Sequence, residues 1–144
     1  MNIRNAFITV GLAIASIVML PSAHADDYDQ ASKLTFNQPV QIPGRRVLPA
    51  GTYWFVLANI GSRSVVQVFN SDKSTLYATI LTISAERQKI TEQTAMTFAE
   101  RGTMQPDVIV TWFYPGRNLG HQFVYSKPEE RELARAKLQT VTVG

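Results

Sequence analysis

The chain has 144 residues, no cysteine, two histidines and 45% hydrophobic content, which fits one domain at roughly 150 residues per domain. Fourteen basic against eleven acidic residues leave a formal charge of +3, too small for a dedicated nucleic-acid surface. The charged fraction of 17% argues against disorder, and the missing thiols exclude zinc fingers, cysteine nucleophiles, disulfide scaffolds and iron–sulfur sites.

The first segment reads as an address. Met1 to Asn5 carries Arg4, Ala6 to Leu20 is mostly apolar and uncharged, and Pro21-Ser22 breaks the run. Ala23-His24-Ala25 then puts small residues at the two positions a signal peptidase reads. The expectation is a secretory signal over 1–25, cleaved after Ala25. A membrane anchor is the weaker reading, because the run is short of the ~20 residues that span a bilayer. Cleavage delivers the chain to the periplasm or the exterior. It removes Arg4 and His24, lowers the charge by one and leaves His121 as the sole imidazole. That compartment is oxidising, yet there is no disulfide to exploit it, so a hydrophobic core must hold the fold.

Residues 26–33 are polar and open with acids, and they read as a flexible lead-in to a β domain over 34–126. Leu34 to Phe36 and Val40 to Ile42 are strand pieces interrupted by Pro39, which cannot donate to a ladder. Pro43-Gly44 and Pro49-Ala50-Gly51 are turns, and the second launches the aromatic run Thr52 to Ala58. Ser64 to Phe69 alternates Val66 and Val68 against Val65 and Phe69. Residues 70–74 form a polar hairpin loop, and Thr75 to Ile83 returns. The polar segment from Ala85 to Thr94 reads as an exposed connection with room for one helical turn. Ala95 to Glu100, Asp107 to Tyr114 and His121 to Tyr125 complete the set. About seven short strands with a turn near every tenth residue predict an all-β fold, a single antiparallel β-sandwich or small barrel. Residues 127–144 predict a short helix and tail. Ser126-Lys127-Pro128-Glu129 is a capping box with proline in the first turn, and Leu133, Ala134 and Leu138 give only a narrow apolar stripe.

The motifs of chemistry are mostly missing. There is no G-x-S-x-G and no phosphate loop. One histidine cannot form a zinc site alone. Asp26, Asp27 and Asp29 lack the order of a calcium loop. Glu100 and Asp107 flank one turn beside Arg101, where solvated hairpin ends are a better reading than an acid–base pair. No metal, cofactor or catalytic residue is assigned. The most specific cluster runs from Trp112 to His121. It gathers Trp112, Tyr114, Arg117, Asn118 and His121 around one loop. Aromatic bodies with polar handles and a guanidinium suit a ligand or partner contact, against the alternative that the aromatics pack inside and Arg117 and Asn118 solvate a turn. Alternation points Tyr53 and Phe55 to one face and Trp54 to the other; core packing is the expectation for Trp54, and an exposed contact surface is the alternative.

Gln41-Ile42-Pro43-Gly44, Val47-Leu48-Pro49-Ala50-Gly51-Thr52-Tyr53, Leu76-Tyr77-Ala78-Thr79-Ile80 and Trp112-Phe113-Tyr114-Pro115-Gly116 together resemble a family of small secreted bacterial β proteins with an L-P-x-G-x-Y strand entry. The resemblance implies an exported β domain and carries no activity with it. The functional expectation is an exported noncatalytic module that binds an envelope protein or small ligand through its surface, without nucleic acid and without a transmembrane span in the mature chain. The alternative is a small-barrel carrier of an apolar ligand. An outer-membrane barrel fits less well, because most strands are shorter than its 9–11 residues.

Overall fold

A computed structural model of the chain describes residues 30–60, 63–102 and 104–143. The expected signal segment over 1–25 and the start of the lead-in lie outside the described residues. The strands are β1 Ala31–Phe36, β2 Val40–Ile42, β3 Arg46–Leu48, β4 Gly51–Ile60, β5 Arg63–Asn70, β6 Leu76–Glu86, β7 Thr94–Glu100, β8 Asp107–Phe113, β9 Leu119–Phe123 and β10 Lys137–Val143, with a helix α1 at Lys127–Leu133 before β10. The class is all-β, with one short helix among the described residues. Among the described residues there are ten strands, where the sequence predicts about seven.

All ten strands belong to one mixed sheet. Its path is β1-β4-β5-β6-β9-β8-β2-β3, with β7 also on β8 and β10 on β7. The pairing of β2 with β8 is parallel and the others are antiparallel. One edge of β8 is split between two partners. Val40 and Gln41 of β2 take Asp107 and Val108, while His121 and Gln122 of β9 take Trp112 and Thr111. Between these pairings the buried Tyr125 hydroxyl donates to the Ile109 carbonyl at 2.5 Å. Burial, and after it the nearby Glu129 carboxylate, hold this phenol well above its ordinary pKa, so it remains a donor.

Period-two alternation builds the core. Leu34 and Phe36 of β1, Tyr53 and Phe55 of β4, Val66 and Val68 of β5 and Ala78 and Ile80 of β6 are buried. They meet Met96 and Phe98 of β7, Val108, Ile109 and Trp112 of β8, and Phe123 of β9. Rings cross from one part of the sheet to another. Phe36 stands edge-on to Phe98 at 6.3 Å, and Phe55 lies 6.4 Å from both Trp112 and Phe123. These edge-to-face separations add to the burial term. The L-P-x-G-x-Y entry closes on itself, since the Tyr53 hydroxyl donates to the Pro49 carbonyl at 2.6 Å.

Two expected boundaries are corrected. The lead-in ends at Gln30, because β1 already starts at Ala31. The polar residues there are buried and satisfied. The Gln30 carbonyl accepts from Leu57 N at 2.8 Å, and Ser32 Oγ lies 3.1 Å from Thr94 Oγ1. The tail is also not a loose end, because Lys137 to Val143 pairs along the whole of β7. The segment between β6 and β7 contains no helical turn.

The helix forms where the capping box predicts. Ser126 Oγ accepts from Glu129 N, and the Glu129 carboxylate accepts in return from Ser126 N at 3.3 Å. Glu129 is 5% exposed and also accepts from Arg45 N at 3.1 Å and from the Gly44 backbone. Gly44 and Arg45 turn the β2–β3 hairpin with φ of 87° and 58°. Left-handed backbone is uncommon for an arginine, and here it aims consecutive N–H groups at one anion. Burial pushes the Glu129 carboxyl up, but the bonds from Ser126, Arg45 and Gly44 outweigh it and leave the pKa lowered. The charged form is therefore favoured in the fold.

At the β8–β9 corner, Gly120 leaves no space for a side chain. A Cβ there would lie 2.4 Å from Phe113 Cδ1 and 2.7 Å from the Trp112 carbonyl oxygen. Gly120→Ala should cost about 1–3 kcal/mol, read as a lowered urea midpoint with an unchanged slope. A wild-type midpoint would show that the corner is slack. Glu129 gives a second expectation. Its depressed pKa contributes stability above the ordinary glutamate value of 4.5, and this is lost as pH falls through the lower folded value. Glu129→Gln should flatten the acid limb of stability against pH below 4.5, and an unchanged limb would contradict the clamp.

Candidate functional site

The loop cluster singled out in the sequence divides into an inner and an outer part. Trp112 is 0% exposed and Tyr114 is buried, both within the core cluster. His121 is half-buried with its ring 5.3 Å from that of Trp112, and its Nε2 lies 3.0 Å from Gln30 Oε1. Trp112 Nε1 donates to Ser32 Oγ at 3.3 Å. A polar chain thus runs from Trp112 through Ser32 to Thr94, with the His121–Gln30 contact beside it. Burial lowers the His121 pKa and keeps the ring neutral.

Arg117 is half-buried and Asn118 exposed. Their loop is organised by Arg87, which the sequence reading places in an exposed connection. Arg87 N donates to the Asn118 carbonyl at 2.9 Å, its Nε to the Arg117 carbonyl at 2.8 Å and its Nη2 to the Tyr114 carbonyl at 3.3 Å. The guanidinium also lies 5.0 Å from the Phe113 ring centre. Nothing in the local pattern separates Arg87 from Lys89, so the sequence offers no signal for this role.

A polar hollow of about 290 Å³ lies between the β7–β8 turn and α1, lined by Glu100, Arg101, Gln105, Glu132, Arg135 and Ala136. Arg101 Nη2 donates to Gln41 Oε1 at 2.9 Å and to the Pro106 carbonyl at 3.0 Å. Glu132 sits 3.8 Å from Arg101 and takes both Arg45 amino groups, the nearer at 2.8 Å. Glu100 is buried, a correction to the reading of a solvated hairpin end, because β10 covers it through the Lys137 pairing. Among the described residues no group of three or more histidines, aspartates or glutamates converges for a metal. No helix among them is long and apolar enough to cross a membrane.

The most distinctive surface is the outer face of the sheet along β6. Ala78, Ile80 and Thr82 point inward, whereas Leu81 is 42% and Ile83 55% exposed. Pairing aligns Leu81 with Val65 and Val65 with Ala58, and Val124 N donates to the Leu81 carbonyl. Aliphatic side chains therefore line up across β4, β5, β6 and the residue after β9, with Val65 itself buried and Leu81, Ile83 and Val124 exposed. A parallel row runs Lys33, Trp54, Phe69 and Leu76. Trp54 is only half-buried, which corrects its expected core position. Its pleat parity opposes that of Tyr53 and Phe55, whose face fills the interior. Lys73 Nζ sits 4.3 Å and Lys33 Nζ 5.9 Å from its ring centre, and its Nε1 donates to the Ser71 carbonyl at 3.0 Å. The signal for this surface is present in Leu76 to Ile83, which is apolar on both of its faces.

Comparison with protein-family models, curated proteins and solved structures finds no match for this chain.

His121 contributes stability with a defined sign. Its lowered folded pKa means that stability is full above the ordinary value of 6.5 and is lost as pH falls from there through the folded value. His121→Gln should remove the slope of stability against pH just below 6.5, and retention of that slope would place its origin elsewhere. Arg87→Ala should speed hydrogen exchange in residues 114–118 while leaving β8 protected. Unchanged exchange there would show that the loop holds without Arg87.

Proposed function

We propose that the chain is an exported, noncatalytic β module of the cell envelope that works by binding through its surface, with the outer face of β4, β5, β6 and the end of β9 as the contact. The observation that carries this reading is the exposure of Leu81, Ile83 and Val124, neighbours on β6 and just past β9, on strands whose opposite face is already filled. Contiguous exposed apolar surface on a small domain marks an interaction site more often than an accident of composition. Trp54 between Lys33 and Lys73 gives the same face an aromatic and cationic end. Arg117 and Asn118, on the loop that Arg87 organises at the sheet end, are the alternative contact. Export rests on the segment over 1–25 and on the resemblance to small secreted β proteins.

The finer architecture favoured here is a β-sandwich. One layer is β1-β4-β5-β6 and the other is β7-β8 with β2-β3, joined at the β8–β9 corner. The ring contacts of β1 with β7 and β4 with β8 support it. The second functional reading, a carrier of an apolar ligand within a small barrel, is weakened by the aromatic rings that occupy the interior.

The test is capture of envelope proteins by the purified protein and by three variants. Leu81→Asp with Ile83→Asp should lose the captured partner while shifting stability by only about 0.5 kcal/mol, as is usual for surface positions. Arg117→Ala should retain it. Equal capture by the double variant would overturn the assignment of the outer face, and loss with Arg117→Ala alone would move the contact to the loop. Lys73→Ala should weaken capture without abolishing it.

A further inference from the structure

The outer edge of β10 is a feature separate from the outer face of β6. Within the described sheet β10 pairs with β7 and with no other strand. An edge strand presents unpaired backbone donors and acceptors that template another strand, and natural sheets blunt such edges with short length, proline, bulges or charge. The other two free edges are blunted in this way. β3 is three residues long and opens on Arg46, and β1 carries Lys33 near its middle.

β10 has none of these devices within it. It runs seven residues, Lys137 to Val143, without proline, and its register on β7 is unbroken. Its one charge stands at its first position. Leu138 is 58% exposed, and Thr140 and Thr142 on the same face are exposed too. The Thr140 hydroxyl meets Thr97 at 3.1 Å and otherwise faces outward. Threonine and valine alternate here, the composition that suits a pleated surface.

We propose that β10 pairs antiparallel with β10 of a second copy of this chain, about a two-fold axis at Thr140. The sequence of the strand is self-complementary in this register. Lys137 falls opposite Val143, Leu138 opposite Thr142, Gln139 opposite Val141 and Thr140 opposite itself. The lysines lie at the two far ends, so no like charges meet, and each exposed leucine gains a cross-strand threonine neighbour. An isologous contact of this kind closes at two copies and continues the sheet from one copy into the other.

The absence of cysteine from the chain makes the register directly readable. Directly opposed residues in an antiparallel pair have Cα atoms about 4.5–5.5 Å apart, within disulfide reach. Thr140→Cys should therefore give a disulfide-linked dimer on mild oxidation. Leu138→Cys and Thr142→Cys should each fail to cross-link alone, and the two changes together in one chain should succeed. Sedimentation of the purified protein should show a dimer. Thr140→Lys, which sets like charges opposite one another, should weaken it by about tenfold or more while leaving the melting temperature unchanged at dilutions where both proteins are monomeric. A monomer at every concentration up to the solubility limit would overturn the proposal. So would a dimer indifferent to Thr140→Lys, cross-linking of Thr142→Cys as efficient as that of Thr140→Cys, or growth into polymers, which would mean that β10 pairs with a different edge.

Discussion

Glu129 is buried with its charge, and two distant parts of the chain meet on it. Its carboxylate receives N–H groups from the start of α1 and from the Gly44–Arg45 turn of the β2–β3 hairpin. A buried carboxylate without such donors would cost far more than a single hydrogen bond returns. The placement of α1, the shape of the β2–β3 turn and the direction in which the chain leaves for β10 therefore depend on one another. Glu132, one turn further along the helix, is brought to Arg45 and close to Arg101 by the same docking. Leu133 and Ala136 then pack against the core.

Much of this fold is legible in the residues. The alternation in Ser64 to Phe69, the turn at residues 70–74 and the capping box at Ser126 and Glu129 each have a local physical cause and appear where that cause puts them. The elements that were missed have distant causes. Ala31 to Lys33 looks like lead-in because Gln30 and Ser32 are polar, and only Leu57, Thr94, Trp112 and His121 turn that polarity into buried hydrogen bonds. Residues 137–143 lack a broad apolar stripe and become a strand because β7 offers an edge. Arg87 acts on carbonyl groups some 30 residues ahead of it, a relation that no local period reveals.

The candidate surface was half visible for the same reason. Tyr53, Phe55, Trp112 and Tyr114 belong to the interior, so the aromatic richness of the chain mainly reports packing. The surface signal lies instead in β6, where the inner face is complete with Ala78, Ile80 and Thr82 and the outer face still carries Leu81 and Ile83. Aliphatic side chains beyond what the core can hold are the informative excess. Trp54 belongs with them through its pleat parity, and its lysine neighbours give that end of the face a sign of charge.

The split edge of β8 also orders events in time. β4, β5 and β6 are joined by short connections and can pair soon after they become available, because closing short loops costs little entropy. β2 and β3 precede them in the chain, yet β2 docks on Asp107 and Val108, more than sixty residues later. Contacts of such long sequence separation slow folding. The β2–β3 hairpin must therefore wait, unsupported, between β1 and β4 until β8 arrives. During synthesis the Val40 and Ile42 side chains, buried in the finished fold, therefore stay uncovered until the second half of the domain has followed.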